Sequence, residues 1–216
     1  MKRRAPHVLL TGFEPFDGAS INPSWEAVRA LDGVIVGGHR IEVCCLPVEF
    51  GRSLRVLRTA LRRKPALVLA VGQAGGRCAI SIERVAINLD DARIPDNAGQ
   101  QPIDRPVIRG APAAYFARLP IKAMRAALLA EGVPAEISHS AGTFVCNHVF
   151  FGLMHALRKR PGVRAGFVHI PYAPKQAACH PGAPSLPVTL VSRALERLVE
   201  VAMTASEREE SGGTLH

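Results

Sequence analysis

An α/β sandwich, with helices laid on both sides of a central sheet, is the fold class the sequence predicts, and three observations carry it. Apolar runs of strand length alternate with helical periodicities along the whole chain. One run, ALVLAV (66–71), is apolar at every position, as a strand covered on both faces must be. With 48% apolar residues in 216, there is material for one packed core, so a single domain over 1–204 is expected. The polar tail ASEREESGGTLH (205–216) is expected to be disordered.

The elements follow in order. HVLLTGF (7–13) reads as the first strand, and NPSWEAVRAL (22–31) opens a helix with Asn22 as N-cap and Pro23 at the first helical position. HRIEVCCLPVEF (39–50) has strand character. In GRSLRVLRTALRRK (51–64), Leu54, Leu57 and Leu61 form a stripe opposite Arg52, Arg55, Arg58 and Arg62, the mark of an amphipathic helix. After ALVLAVG comes AISIERVAINL (79–89), read as one strand whose period of two puts Ser81, Glu83, Val85, Ile87 and Leu89 on one face. LPIKAMRAALLAEG (119–132) is a helix stopped by Gly132, AEIS (135–138) a short strand, and VCNHVFFGLMHALRKRPG (145–162) a helix ended by Pro161 and Gly162. AGFVHIP (165–171) is the last strand, and LPVTLVSRALERLVEVAM (186–203) a closing amphipathic helix. Residues 88–118 break the rhythm: long, aperiodic and rich in Pro, Gly and Asp, they have the composition of a functional loop.

Composition bounds the function. The formal charge is +9, which would suit an acidic partner, but much of the excess lies on the solvated arginine stripe of 51–64, aromatic residues are 5% of the chain, and no nucleic-acid motif is present. A nucleic-acid partner is therefore disfavoured. No apolar run approaches the roughly 20 residues that span a bilayer, and the start lacks a secretory h-region, so a soluble cytoplasmic protein without a membrane partner is expected. Five cysteines (44, 45, 78, 146, 179) are an odd number without C-x-x-C spacing; reduced thiols are expected, and no metal site.

In open α/β sheets ligands collect beyond the carboxyl ends of strands. Four segments should meet there: TGFEPF, GQAGG, AGTFVC and the end of GFVHIP. Cys146 falls in the first turn of a helix, where free N–H groups and the macrodipole favour a thiolate and could also hold an oxyanion. A cysteine beside Phe144 and Val145 can equally be a small core hydrophobe. A nucleophilic thiolate needs a base. His148 and His155 share its helix but point away from it, whereas His169 sits on a separate strand at the expected edge, either as that base or as a satisfied core histidine. Glu83, on a mostly apolar face, needs a partner, whether His169 or an arginine such as Arg77. VGQAGGR lacks both P-loop and dinucleotide spacing, and Phe13 and Phe16 can be core or pocket walls.

Taken together, LLTGFEPFDG, NPSWEAV, GQAGGR, IERVAINLDDARIPDNAGQQPID, AAYFARLPIKAM, SAGTFVCNHVFFGLMH and GFVHIPYAP resemble the pyroglutamyl-peptidase I (pyrrolidone-carboxylate peptidase) family of cysteine exopeptidases, in the family's order up to about Pro174. The resemblance implies a mixed, twisted sheet of the phosphorylase/hydrolase-like group. It implies removal of N-terminal pyroglutamate (5-oxoproline) from peptides through a thioester, without cofactor, by a homodimer or homotetramer. Cys146 would be the nucleophile, His169 the general base and acid, and Glu83 the residue orienting His169. Phe13, Phe16, Gln73, Ile94, Phe144 and Val145 would surround the lactam, with Arg93 and the backbone at Cys146 near the oxyanion. VIRGAPAAYF and ISHSAG depart from the family pattern, and the match loosens after Pro174. Two other readings stay open: a basic nucleic-acid-binding protein on a similar scaffold, and a related hydrolase for another small acyl or cyclic substrate.

Overall fold

The computed structural model describes residues 6–213. Seven strands form a mixed sheet in the order β2-β3-β1-β4-β9-β5-β8. They are β1 (His7–Phe13), β2 (Ile35–Val36), β3 (His39–Leu46), β4 (Leu67–Gln73), β5 (Ile80–Glu83), β8 (Ala135–Ser138) and β9 (Arg164–Ile170). Strands β3, β1, β4 and β9 run parallel, β5 runs against β9, and β8 runs parallel to β5. Strands β1, β4 and β9, in the middle of the sheet, are buried nearly throughout because both faces are covered.

Helices α1 (Pro23–Arg29), α3 (Ile121–Ala130) and α6 (Val188–Thr204) cover one face, and α2 (Arg52–Leu61) and α4 (Val145–Leu157) the other. The N-cap expected at Asn22 is made: its side-chain oxygen accepts from the Ser24 backbone N–H at 3.0 Å. In α2, Leu54, Leu57 and Leu61 are buried and Arg52, Arg55, Arg58 and Arg62 face outward, as their spacing requires. Helix α4 is buried almost all round, since α2 flanks it on one side and a small hairpin on the other. That hairpin, β6 (Val85–Ile87) with β7 (Ala114–Phe116), is a separate two-stranded sheet.

Here the structure corrects the reading of AISIERVAINL as one strand. The segment breaks at Arg84, with β5 in the main sheet and β6 in the hairpin. Arg84 donates its N–H to the Ser138 carbonyl (2.8 Å) and accepts from Ala117 N–H (2.8 Å), so its two backbone groups serve different partners. A four-residue helix, α5 (Pro174–Ala177), follows β9.

Residues 214–216 of the tail expected to be disordered lie outside the described residues. Residues 205–213 contain no helix or strand, but they make specific contacts. Glu207 Oε1 accepts from the N–H groups of Lys122 (3.0 Å) and Ala123 (3.3 Å) in the first turn of α3, and the Arg84 guanidinium donates to the Gly212 carbonyl at 2.9 Å.

Candidate active site

Strands β1, β4 and β9 end together, and α4 begins at the same edge. Gly72 and His169 are register partners in neighbouring parallel strands, so their side-chain positions lie on one face of the sheet. That face is the one α4 covers. Cys146 is the second residue of α4, and its sulfur occupies the space Gly72 leaves free: a Cβ at Gly72 would stand 2.9 Å from Cys146 Sγ and 2.8 Å from Phe167 Cζ. The Phe167 and His169 rings lie 4.8 Å apart between centroids. Thiol and imidazole, far apart in sequence, thus share one small region of the sheet.

Glu83 ends β5 and is fully buried. Its Oε1 accepts from His169 Nδ1 at 2.7 Å and from Arg77 Nη1 at 2.7 Å. The imidazole and arginine partners, which stood as alternatives in the sequence, are held together on one oxygen. A carboxylate only accepts, so the proton of the neutral ring sits on Nδ1 and the lone pair on Nε2. Arg77 also donates to the Ser140 carbonyl at 3.0 Å, tying the segment ahead of α4 to the Glu83–His169 pair.

Burial pushes the Cys146 thiol up to about 12; the Glu83 charge adds to the rise and Arg77 opposes it. This runs against the thiolate that the helix N-terminus favours. The sulfur is half-buried against Phe167, and there desolvation outweighs the macrodipole. Burial also lowers the His169 pKa, against the hydrogen bond and charge of Glu83, with Arg77 contributing to the lowering. The resting pair is therefore a neutral thiol and a neutral imidazole. A nucleophilic role for this sulfur would therefore require its proton to leave during attack rather than beforehand.

A narrow cavity of about 20 Å³ adjoins the sulfur, lined by Phe13, Phe16, Asn22, Val48, Gln73, Phe144, Val145 and Cys146. That is roughly space for one water. Five of the six expected substrate contacts line it. Ile94 does not; it is half-buried in the loop after β6. Arg93 is exposed in the same loop, where its carbonyl accepts from Gln101, and its guanidinium has no hydrogen-bond or ion-pair partner among the described residues. Asn22 and Val48 were missed. Asn22 had been read only as a helix cap, a role it also fills, and Val48 lies in the strand-like run 39–50 without chemistry of its own.

The two other histidines of α4 are occupied elsewhere. His148 Nε2 accepts from the Gly51 N–H (2.9 Å) while Nδ1 meets Asp90 Oδ2 (2.8 Å), and His155 Nδ1 meets the Tyr115 hydroxyl (2.9 Å). Asn147, beside Cys146, fixes the start of α4: it accepts from Ile87 N–H (3.0 Å) and donates to the carbonyls of Ile87 and Leu89 (2.9 Å each). Among the described residues no three His, Cys, Asp or Glu side chains gather as metal ligands, and no helix is long and apolar enough to cross a membrane.

Residues 6–205 match the model of the family described as pyroglutamyl peptidase. A pyrrolidone-carboxylate peptidase of Klebsiella pneumoniae (strain 342) is 56% identical over 207 residues, 95% of this chain and 97% of that protein. One from Cupriavidus taiwanensis is 58% identical over 215 residues, 98% of this chain and 100% of that one. The crystal structure of pyroglutamyl peptidase I from Bacillus amyloliquefaciens superposes with a TM-score of 0.92 at 46% identity, covering 97% of this chain and 100% of that one.

Proposed function

The chain belongs to the pyroglutamyl peptidase family, and from that premise we propose that it removes N-terminal pyroglutamate from peptides with Cys146 as nucleophile, His169 as general base and acid, and Glu83 as the group orienting His169. The observation that carries this assignment is the single face of sheet shared by Cys146 Sγ, lodged over Gly72, and His169, fixed by the 2.7 Å bond to Glu83. With Nδ1 protonated, Nε2 of His169 takes the thiol proton as sulfur attacks the carbonyl joining the lactam to the next residue. Charge then develops as imidazolium beside buried Glu83, and the carboxylate stabilises it. The same proton passes to the departing amine, leaving a thioester. Water gives up a proton to His169 and attacks the thioester; the C–S bond breaks, pyroglutamate leaves, and the imidazolium returns the proton to the departing sulfur, restoring thiol and neutral ring.

A pyroglutamyl terminus carries no ammonium, so its ring suits apolar walls such as Phe13, Phe16, Phe144 and Val145 with one aimed polar group, Gln73. The backbone N–H groups of the first turn of α4 are free to donate to the oxyanion, as an uncapped helix start leaves them. Arg93, exposed on its loop, joins them in this proposal, and Ile94 closes over the ring, both by movement of residues 90–105. A homodimer or homotetramer in the cytoplasm completes the reading.

The test is release of a chromophore from a pyroglutamyl amide, alongside the corresponding amides of unblocked amino acids. Turnover of the blocked substrate alone, lost in Cys146→Ser with the fold retained, is the expected result. Turnover of unblocked amides only, or a Cys146→Ser protein as active as the wild type, would sink the proposal.

A further inference from the structure

A second cavity, of about 420 Å³, opens beside the narrow one and shares two of its walls, Phe16 and Gln73. Its volume lies in the range of sites that take small organic ligands. One wall is aromatic: Tyr172 and His180 are stacked, with ring centroids 4.9 Å apart and planes 12° from parallel. The glycine-rich segment after β4, which offers no phosphate cradle, has its explanation here. A Cβ at Gly75 would fall 2.2 Å from the Tyr172 ring, so only a residue without a side chain lets that ring lie where it does. Helix α5 is tied across to the narrow cavity, since Gln176 Nε2 donates to Gln73 Oε1 at 2.9 Å and to the Ile21 carbonyl at 3.3 Å. Lys175 and Asp17 both line the cavity, so neither sign of charge prevails there.

The direction of the chain connects this wall to the reaction. The amine expelled during acyl transfer takes its proton from His169, and the backbone runs from His169 through Ile170 and Pro171 straight to Tyr172. We infer that the larger cavity holds the residue following the lactam, and that the Tyr172–His180 wall favours an aromatic side chain at that position. The inference rests on the peptidase reading above. An aromatic side chain gains by edge-to-face or offset contact with such a wall, whereas a methyl group gains little.

The experiment compares kcat/KM for pyroglutamyl-phenylalanyl-glycine and pyroglutamyl-alanyl-glycine, with the chromogenic pyroglutamyl amide followed on the same preparations. Wild type is expected to favour the phenylalanyl peptide by about 3- to 10-fold. His180→Ala, at an exposed position whose loss leaves the core intact, should bring that ratio toward one, and Tyr172→Leu should do the same. Equal efficiency for the two peptides in wild type, or an unchanged ratio in both variants, overturns the inference while the chromogenic turnover still stands. Absence of turnover on every pyroglutamyl substrate would instead remove the peptidase reading itself.

Discussion

Gly72→Ala adds a single methyl group at the point where the proposed reaction leaves least room. The new carbon would stand 2.9 Å from Cys146 Sγ and 2.8 Å from Phe167 Cζ. Non-bonded heavy atoms settle at about 3.5–4.0 Å, so the two contacts are short by roughly 0.6–1.2 Å. Phe167 is fully buried between β4 and α4, and its ring has nowhere to retreat. Cys146, half-buried rather than fully enclosed, is the side chain that moves. Overpacking of this kind costs about 1–3 kcal/mol, which for a chain of this length lowers Tm by roughly 2–12 °C. A reacting atom displaced by about 1 Å costs on the order of 100-fold in rate. The expected result is therefore a folded variant with a modestly lower melting temperature and about 100-fold lower kcat on a pyroglutamyl amide, measured by chromophore release and a thermal melt. Activity within about 3-fold of wild type in the folded variant would refute the placement of the sulfur over Gly72 as the reactive geometry.

Other predictions can be checked on the same substrate or by melts. Glu83→Gln keeps the shape but loses the charge that holds the His169 tautomer and steadies its imidazolium, and kcat should fall by about 10²–10⁴-fold. The pH profile of kcat/KM should show its acid limb below 6.5, because burial holds His169 under that value and activity needs the ring neutral. Stability should fall in that same direction: the unfolded chain takes up a proton near pH 6.5 before the folded ring does, so unfolding gains as pH drops through this window. At the alkaline end the sign comes from Cys146, whose thiol ionises near 9.0 when unfolded but about 12 when folded; its contribution is complete below 9 and is lost as pH rises toward 12, which denaturant midpoints across pH will show. Asn147→Ala removes three hydrogen bonds between α4 and the residues around β6, and urea unfolding should show a loss of roughly 2–4 kcal/mol. Glu207→Ala uncaps the first turn of α3 and should cost about 1 kcal/mol by the same measurement, a direct check that the tail contributes to the fold.

Much of this architecture was legible in the residues because periodicity records burial. The arginine and leucine stripes of 51–64 fixed the orientation of α2, and Asn22-Pro23 marked the start of α1. The break at Arg84 was not legible. Residues 79–89 all suit a strand, and what divides them is the partner available on either side, β9 and β8 for Ile80–Glu83 and β7 for Val85–Ile87. In the site, alternation put Glu83 on an apolar face and so demanded a partner, but nothing local could say that His169 and Arg77 would share its Oε1. The raised pKa of Cys146 was hidden for a related reason: helix position is written in the neighbouring residues, whereas burial against Phe167 and Gly72 comes from two other strands. Arg93 and Ile94 lie on an aperiodic loop, where sequence pattern carries no orientation, and their roles rest on family resemblance.

The most direct measurement is chemical. A pyroglutamyl amide or ester is mixed with the enzyme, turnover is quenched in acid within the first cycles, and the protein is digested and its cysteine-containing peptides weighed. The account predicts a pyroglutamyl thioester on the peptide carrying Cys146 and on no other, and its absence from Cys146→Ser. An adduct on Cys78 or Cys179 during turnover, or undiminished turnover by Cys146→Ser, would contradict it.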